Sequence, residues 1–423
     1  MRNFLKSAKP RPKEDLSAVR KTVSEILKSV REEGEKAVRR YSETFDNWTP
    51  ESFKIGKDAM RDARSKLPVT MAEDIDYCQT QIRNFAEAQM ERLVGFEAET
   101  LPGVHLGQKV IPVASSGSYV PGGRYPMLAS AHMTVITPKA AGVNRVVACT
   151  PPVNGEGIYP ATLYSMVAGG ADEIYCMGGI QALAAMAYGM EGLEPVDLVV
   201  GAGNRYVAEA KRQLFGDVGI DLLAGPTEIL VICDDTSDPH IVAADILGQA
   251  EHDPNSRQCL ISLSRKAAEN IMAEIDEQLK TLPTRDVASV SWGNSGEVIV
   301  VDSPEEAVEL SDRWAPEHLE VQTADWRYYL DHCKNYGSMF CGEETTVGYG
   351  DKTIGTNHVL PTMRAARYTG GLYVGKFIKT VTYQYATKEA SLEIARVCER
   401  ACNYENMLAH GISCRVRIDK YEK

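Results

Sequence analysis

Between residues 16 and 41 the apolar side chains Val19, Val23, Ile26, Leu27 and Val30 recur three or four positions apart among lysines and glutamates, the spacing of an amphipathic helix. A further helix is expected over residues 68–92, so residues 1–106 read as a helical N-terminal region ahead of the first sheet. After Gly107 the pattern changes. Short β-rich runs at 109–113, 143–149, 173–176 and 198–200 are bounded by Gly- and Pro-bearing turns, with helix-like stretches at 161–168 and 180–188 between them. Strand and helix alternating in this way predict a parallel sheet covered on both faces. A second series follows, with β-rich runs at 228–233, 259–262 and 297–301 and a helix-like run at 239–251. The last stretch reads as β-rich over 369–385 and helical over 392–408, before a polar tail. The expected fold class is therefore α/β, with two parallel-sheet domains at 107–226 and 227–368 and a small C-terminal arm at 369–423. No fixed-period repeat or low-complexity segment interrupts it.

Charge narrows the partners. Acidic side chains outnumber basic ones by 58 to 46, a net charge of −12, and such a field repels phosphate backbones and anionic lipid, so neither nucleic acid nor membrane is an expected partner. No run approaches the roughly 18 apolar residues of a spanning helix, and Met1 to Pro10 lacks the apolar core of a signal peptide, which places the chain in the cytoplasm. The ten cysteines are scattered without a Cys-x-x-Cys pair, as expected of reduced, buried thiols. Cys398 and Cys402, four apart, are either metal-competent or simply neighbours on a helix.

Four segments concentrate chemistry. In Gly248-Gln249-Ala250-Glu251-His252-Asp253 the side chains of Gln249 and His252 project from one helical face and can reach one metal ion, although alone they read as surface or capping residues. In Trp314-Ala315-Pro316-Glu317-His318-Leu319-Glu320 an acid and a base stand side by side. A histidine titrating near neutrality can take a proton from an alcohol and a carboxylate can activate water, so the pair suits dehydrogenation followed by hydration. The bland alternative is a helix start after Pro316 with Glu317 in its first turn. A glycine-punctuated loop, Gly348 to Pro361, carries Asp351, Asn357 and His358, a density typical of loops that serve a site. Near the C-terminus lie Glu405 and His410, where a solvated tail histidine is the default.

In this order and at these separations, the Gln-Ala-Glu-His, Pro-Glu-His-Leu-Glu, Gly-Thr-Asn-His-Val-Leu-Pro-Thr and Leu-Ala-His motifs resemble those of the histidinol dehydrogenase family over nearly the whole chain. The resemblance implies two incomplete Rossmann-like domains, with NAD on 107–226, catalytic and zinc residues on 227–368, and dimerisation through the swapped arm 369–423. It implies one zinc ion per subunit, held by Gln249, His252 and Asp351 and completed by His410 from the partner's arm in a homodimer. His318 resembles the base that removes the alcohol proton while hydride passes to NAD, and Glu317 the base that activates water on the aldehyde. Two NAD are then reduced per turnover. Substrate contacts are implied for Thr227, Gln249, His252, His318, Asp351, His358, Glu405 and His410. A clean Gly-x-Gly-x-x-Gly fingerprint is missing, with only Gly201-Ala202-Gly203-Asn204 as a fragment. NAD contacts are implied for Tyr119, Gln181 and Asn204, which otherwise read as an aromatic strand residue, a helix-start cap and a turn asparagine.

Two departures bear on substrate. Thr227 stands where the family usually has a serine, and after Pro121-Gly122-Gly123 the family's small residues and Ser-Thr pair give way to Arg124-Tyr125-Pro126-Met127-Leu128-Ala129-Ser130-Ala131-His132. An arginine fork suits an oxyanion such as a sulfonate, a pattern similar to the sulfopropanediol dehydrogenase branch, in which a vicinal diol gives sulfolactate. Arg124 as a solvated loop residue and His132 as a satisfied core side chain are the plain alternatives. The favoured substrate is an anionic diol such as 2,3-dihydroxypropane-1-sulfonate, ahead of L-histidinol. A zinc-stabilised binding protein without chemistry is a distant third, since a binder has no need of an adjacent acid and base.

Overall fold

The computed structural model describes residues 3–10, 15–122 and 126–422. The chain divides into two compact units, one made of Met1–Glu87 and Ala114–Phe377, the other of Ala88–Val113 and Ile378–Lys423. It opens on a short strand, β1 (Asn3–Lys6), followed by helices α1 (Ser17–Glu33), α2 (Glu35–Asp46), α3 (Lys57–Arg61) and α4 (Val69–Met90). Val19, Val23, Ile26, Leu27 and Val30 are all buried, but the helix expected over 16–41 is cut in two at Gly34. Its φ of 58° with ψ of −134° ends α1, a conformation that glycine alone takes cheaply.

A hairpin, β2 (Phe96–Leu101) and β3 (Val104–Pro112), comes next. Residues 109–113 are expected to open the parallel series, but 109–112 instead extend β3 past its pairing with β2 and pair antiparallel with residues 378–381; alternation along β3 looks the same locally whichever partner pairs with it.

The first parallel sheet consists of β4 (Ser115–Tyr119), β5 (Arg145–Thr150), β6 (Glu173–Cys176), β7 (Leu198–Val200) and β8 (Gly219–Ile220), in the order β6-β5-β4-β7-β8. Its helices are α5 (Leu128–Ala140), α6 (Pro160–Gly169), α7 (Gly179–Tyr188) and α8 (Arg205–Leu214). The second contains β9 (Glu228–Cys233), β10 (Arg257–Ser262), β11 (Gly296–Val300), β12 (His318–Gln322) and β13 (Ser338–Cys341), with helices α9 (Pro239–Ala250), α10 (Arg265–Gln278), α11 (Arg285–Ser295), α12 (Pro304–Trp314), α13 (Trp326–His332) and α14 (Val347–Lys352). Its order is β1-β11-β10-β9-β12-β13, with β1 antiparallel at one edge and the rest parallel. The N-terminus is thus a strand of the second sheet, not only a helical lead-in; four residues are too few for periodicity to reveal.

Counted in their own chain order, both sheets run 3-2-1-4-5, so each reverses direction once, between β4 and β7 in the first and between β9 and β12 in the second. All six residues of β9 are buried. Ile229 and Val231 pack with α9 and α10 on one face, Leu230 and Ile232 with Leu310, Leu319 and Tyr329 on the other, as two-sided burial of a parallel sheet requires.

In the second unit β14 (Ile378–Ala386) pairs antiparallel with β3 over nine residues, giving the three-stranded sheet β14-β3-β2. Helices α15 (Lys388–Tyr404) and α16 (Leu408–Tyr421) complete it. The single helix expected over 392–408 is therefore two, joined at 405–407 where Asn406 takes φ 56°, and the expected polar tail from Asp419 lies largely within α16. No helix among the described residues is long and apolar enough to cross a membrane.

Candidate active site

Parallel strands all begin at one edge of their sheet, and in the second sheet that edge gathers the acid–base residues. Thr227 directly precedes β9, and Glu317 and His318 stand at the start of the neighbouring β12, where His318 pairs with Ile229. The alternative of a helix start after Pro316 does not form; a strand begins there instead. Proline at N1 is compatible with a helix, but the run Leu319 to Val321 is drawn into the buried sheet.

Glu317 and His318 are both buried. Glu317 Oε2 accepts hydrogen bonds from Thr227 Oγ1 at 2.6 Å and from the Glu228 N–H at 2.8 Å. Burial pushes its carboxyl well above the usual range, while these two bonds pull it back. His318 Nδ1 lies 2.8 Å from the Glu228 carbonyl, which can only accept, so Nδ1 carries the proton and Nε2 its lone pair. That Nε2 is buried and has no hydrogen-bond partner. Desolvation holds the ring's pKa below its ordinary value, and His318 is a neutral imidazole with its basic nitrogen free. The Glu317 carboxylate and His318 Nδ1 are 3.5 Å apart.

Gln249 closes α9, His252 follows in the turn after it, and Asp351 sits near the end of α14. The three line one cleft of about 470 Å³, together with Met127, Thr346 and Lys352. Thr227 Oγ1 also lies 3.0 Å from Gln249 Oε1, joining this group to Glu317. From the first sheet, α5 reaches the same edge: Ser130 Oγ is 3.2 Å from His358 Nε2, and His358 Nδ1 faces Met133 Sδ at 2.7 Å. Burial lowers the His358 pKa to about 4, so this imidazole too is neutral. His132 is a core side chain on α5, its Nε2 3.1 Å from Ser165 Oγ.

The donors in the cleft fit zinc chemically: one amide oxygen, one imidazole and one carboxylate, leaving coordination positions for substrate and a further ligand. Among the described residues no group of three His, Cys, Asp or Glu side chains forms a metal site by itself, and the cleft set reaches three only by counting Gln249. Glu405 and His410 belong to the second unit, at and just after the α15–α16 turn, both exposed. Cys398 and Cys402 have their sulfurs 3.9 Å apart on α15. Arg124 lies outside the described residues.

The first sheet offers its opposite edge. Tyr119 ends β4, and its hydroxyl accepts from the Gly179 N–H at 3.1 Å. Gln181, in the first turn of α7, donates through Nε2 to Asp46 Oδ2 at 3.0 Å and keeps a buried Oε1 without a partner. Asn204 caps α8, its Oδ1 accepting from the N–H groups of Tyr206 and Val207 at 2.9 and 3.2 Å. These residues ring the carboxyl ends of β4 and β7, where the sheet reverses, the usual place for a dinucleotide. A Cβ on Gly201 (φ +129°) would stand 2.2 Å from the Tyr119 carbonyl oxygen, so this turn admits only glycine. A vacant amide oxygen on Gln181 and a glycine-tight turn at Gly201 fit NAD without the usual fingerprint.

Sequence reasoning missed Glu228, whose N–H and C=O orient Glu317 and His318. Both are backbone groups, so no side-chain signal could reveal them. It also missed Asp46, whose carboxylate holds Gln181 from a helix 135 positions earlier in the chain.

The Histidinol dehydrogenase family profile matches residues 9–418. A histidinol dehydrogenase homolog of Shouchella clausii is 52% identical over 100% of both chains. Sulfopropanediol 3-dehydrogenase of Ruegeria pomeroyi is 44% identical over 99% of this chain and 96% of its own, and histidinol dehydrogenase of Methanothermobacter thermautotrophicus 38% identical over 96% and 94%. The crystal structure of histidinol dehydrogenase from Elizabethkingia anophelis superposes with a TM-score of 0.93 at 32% identity, covering 99% of this chain and 95% of that one. With sequence and fold matching nearly end to end, the chain belongs to the histidinol dehydrogenase family.

Proposed function

We propose that this protein is a zinc-dependent, NAD-linked dehydrogenase that oxidises a primary alcohol through the aldehyde to the carboxylate, and that its substrate is an anionic vicinal diol such as 2,3-dihydroxypropane-1-sulfonate. The observation that carries the reading is the free, buried Nε2 of His318, locked in its basic tautomer by the Glu228 carbonyl. When bound, zinc held by Gln249, His252 and Asp351 supplies a Lewis acid that grips substrate, and NAD beside Tyr119, Gln181 and Asn204 supplies the hydride acceptor.

His318 Nε2 takes the hydroxyl proton as the carbinol hydrogen leaves as hydride. Glu317, its carboxylate oriented by the Thr227 hydroxyl and the Glu228 N–H, removes a proton from the water that adds to the aldehyde. The hydrate then loses a second hydride, so one alcohol consumes one water and two NAD. Thr227 and His358 contact substrate. His410 completes the zinc set and Glu405 contacts substrate from a partner subunit's arm in a homodimer, a reading supported by their placement on an exposed turn of the second unit.

The anionic substrate is supported by Lys352 in the cleft, by the sequence at Arg124, and by 44% identity to a sulfopropanediol 3-dehydrogenase. The test is to load the protein with zinc, offer NAD with either the sulfonated diol or L-histidinol, and read NADH by absorbance. Two NADH per diol, with little turnover of histidinol, is the expected result. Turnover of histidinol alone would reassign the substrate, and silence with both despite bound zinc would leave a metal-containing binding protein.

A further inference from the structure

In the wall of the cleft Asp245 is joined to a buried carboxyl behind it, a second acidic group that the chemistry above does not use. Glu320 is fully buried on β12, and Asp245, half-buried on α9, stands one helical turn before Gln249. Gln322 Nε2 donates to both, to Asp245 Oδ2 at 2.7 Å and to Glu320 Oε2 at 3.3 Å. The two carboxyls also hydrogen-bond each other, which requires one of them to keep its proton. Glu320 is the one, since burial beside Asp245 raises its pKa well above the ordinary value. The remaining oxygens both point at the start of α14. Asp245 Oδ1 accepts from Thr346 Oγ1 at 2.8 Å, and Glu320 Oε1 accepts from the Val347 N–H at 3.0 Å.

α14 is six residues long, too short to be stable by itself. It is pressed against the sheet: Val347 is buried among Ile246, Leu247 and Phe340, and a Cβ on Gly350 would stand 2.6 Å from Phe340 Cε1. Asp351 lies one turn beyond Val347. The anchor thus ties the element that presents Asp351 to the helix that presents Gln249, through side chains on α9 and β12.

We propose that Asp245, Glu320 and Gln322 form a positioning unit that fixes α14 against α9 and so sets Asp351 opposite Gln249 and His252 for zinc. The inference rests on the zinc reading above. Supporting groups of this kind are typically worth about 10–100-fold in metal affinity.

The experiment is equilibrium competition for Zn²⁺ between the purified full-length protein and a chromophoric chelator, with the melting temperature of the zinc-free form measured alongside. Glu320→Leu, which removes the acceptor of the Val347 N–H and the donor to Asp245, should weaken zinc binding by about tenfold or more. Glu320→Gln, which keeps an acceptor and a donor, should bind zinc like the parent. Thr346→Val loses one hydroxyl and should weaken zinc in the same direction by less; it decides the matter if Glu320→Leu does not fold. A purely structural role would lower the melting temperature of these variants and leave the zinc dissociation constant of the folded protein unchanged, and that result overturns the proposal. If the parent binds no zinc, or binds it equally well as Asp351→Asn, it is the zinc reading that fails.

Discussion

The two parallel sheets share one strand order and use opposite edges. In the first, the candidate cofactor residues Tyr119, Gln181 and Asn204 surround the carboxyl ends of β4 and β7, where a doubly wound sheet ordinarily receives a ligand. In the second, Thr227, Glu317 and His318 sit at the amino ends of β9 and β12, the edge from which such sheets do not ordinarily work. Backbone economy accounts for the difference. At a carboxyl edge the strand runs into a helix N-terminus with free N–H groups, suited to phosphates; at an amino edge the strand's first N–H and C=O are spare. Glu228 spends both there, its N–H on Glu317 and its C=O on His318. One edge gathers polar side chains around a glycine-tight turn, the other fixes the tautomer of a base.

The sharpest way to break this contrast is His318→Gln, which should lower the rate of the first oxidation by about 10²–10⁴-fold while NAD still binds, since Tyr119, Gln181 and Asn204 are left untouched. Glu317→Gln should spare that step and accumulate aldehyde, detectable by a carbonyl trap; equal loss in both half-reactions would merge the two roles. On the other edge, Gly201→Ala introduces a Cβ 2.2 Å from the Tyr119 carbonyl, and about 1–3 kcal/mol of strain at the turn should appear in the NAD dissociation constant and leave zinc binding alone. Asn204→Ala removes the α8 cap and should cost about 1 kcal/mol, roughly fivefold in NAD affinity if cap and cofactor contact are coupled.

The smallest expected effect is acid stability. Burial, helped by the neighbouring His358 and Lys352, lowers the His132 pKa to about 4 in the folded chain. Between about pH 6.5 and 4 the unfolded chain binds a proton there that the folded chain refuses, so stability falls as pH drops through this window. His132→Asn should make the acid limb of a denaturation-versus-pH curve shallower, whatever lost packing does to its neutral plateau. An unchanged limb would mean that His132 titrates normally in the folded protein.

How much of this was legible in the sequence follows from the range of each interaction. The helices α6, α7 and α9 and the strand β9 announced themselves because two-sided burial writes itself into consecutive residues. The assignment of residues 109–113 to the parallel series failed because sheet membership depends on β14, some 270 positions away, and β1 escaped because its partner β11 is as distant. At the site, His318, Asp351 and Gln249 were marked by motif, whereas the Glu228 backbone and the Asp245–Glu320 pair were not: a carbonyl has no letter, and Glu320 two positions after His318 on a strand reads as an ordinary alternating residue.

β1 has a practical bearing on handling the protein. Asn3 to Lys6 cover the open flank of β11, with Lys6 Nζ bonded to the Gly296 carbonyl and standing over the Trp292 ring. Clipping these few amino acids would bare a row of unpaired amides beside Val298 and Ile299, a template on which molecules adhere to one another. Recombinant versions shortened or crowded at this end should therefore precipitate more readily, while their catalytic chemistry, several strands away, stays intact.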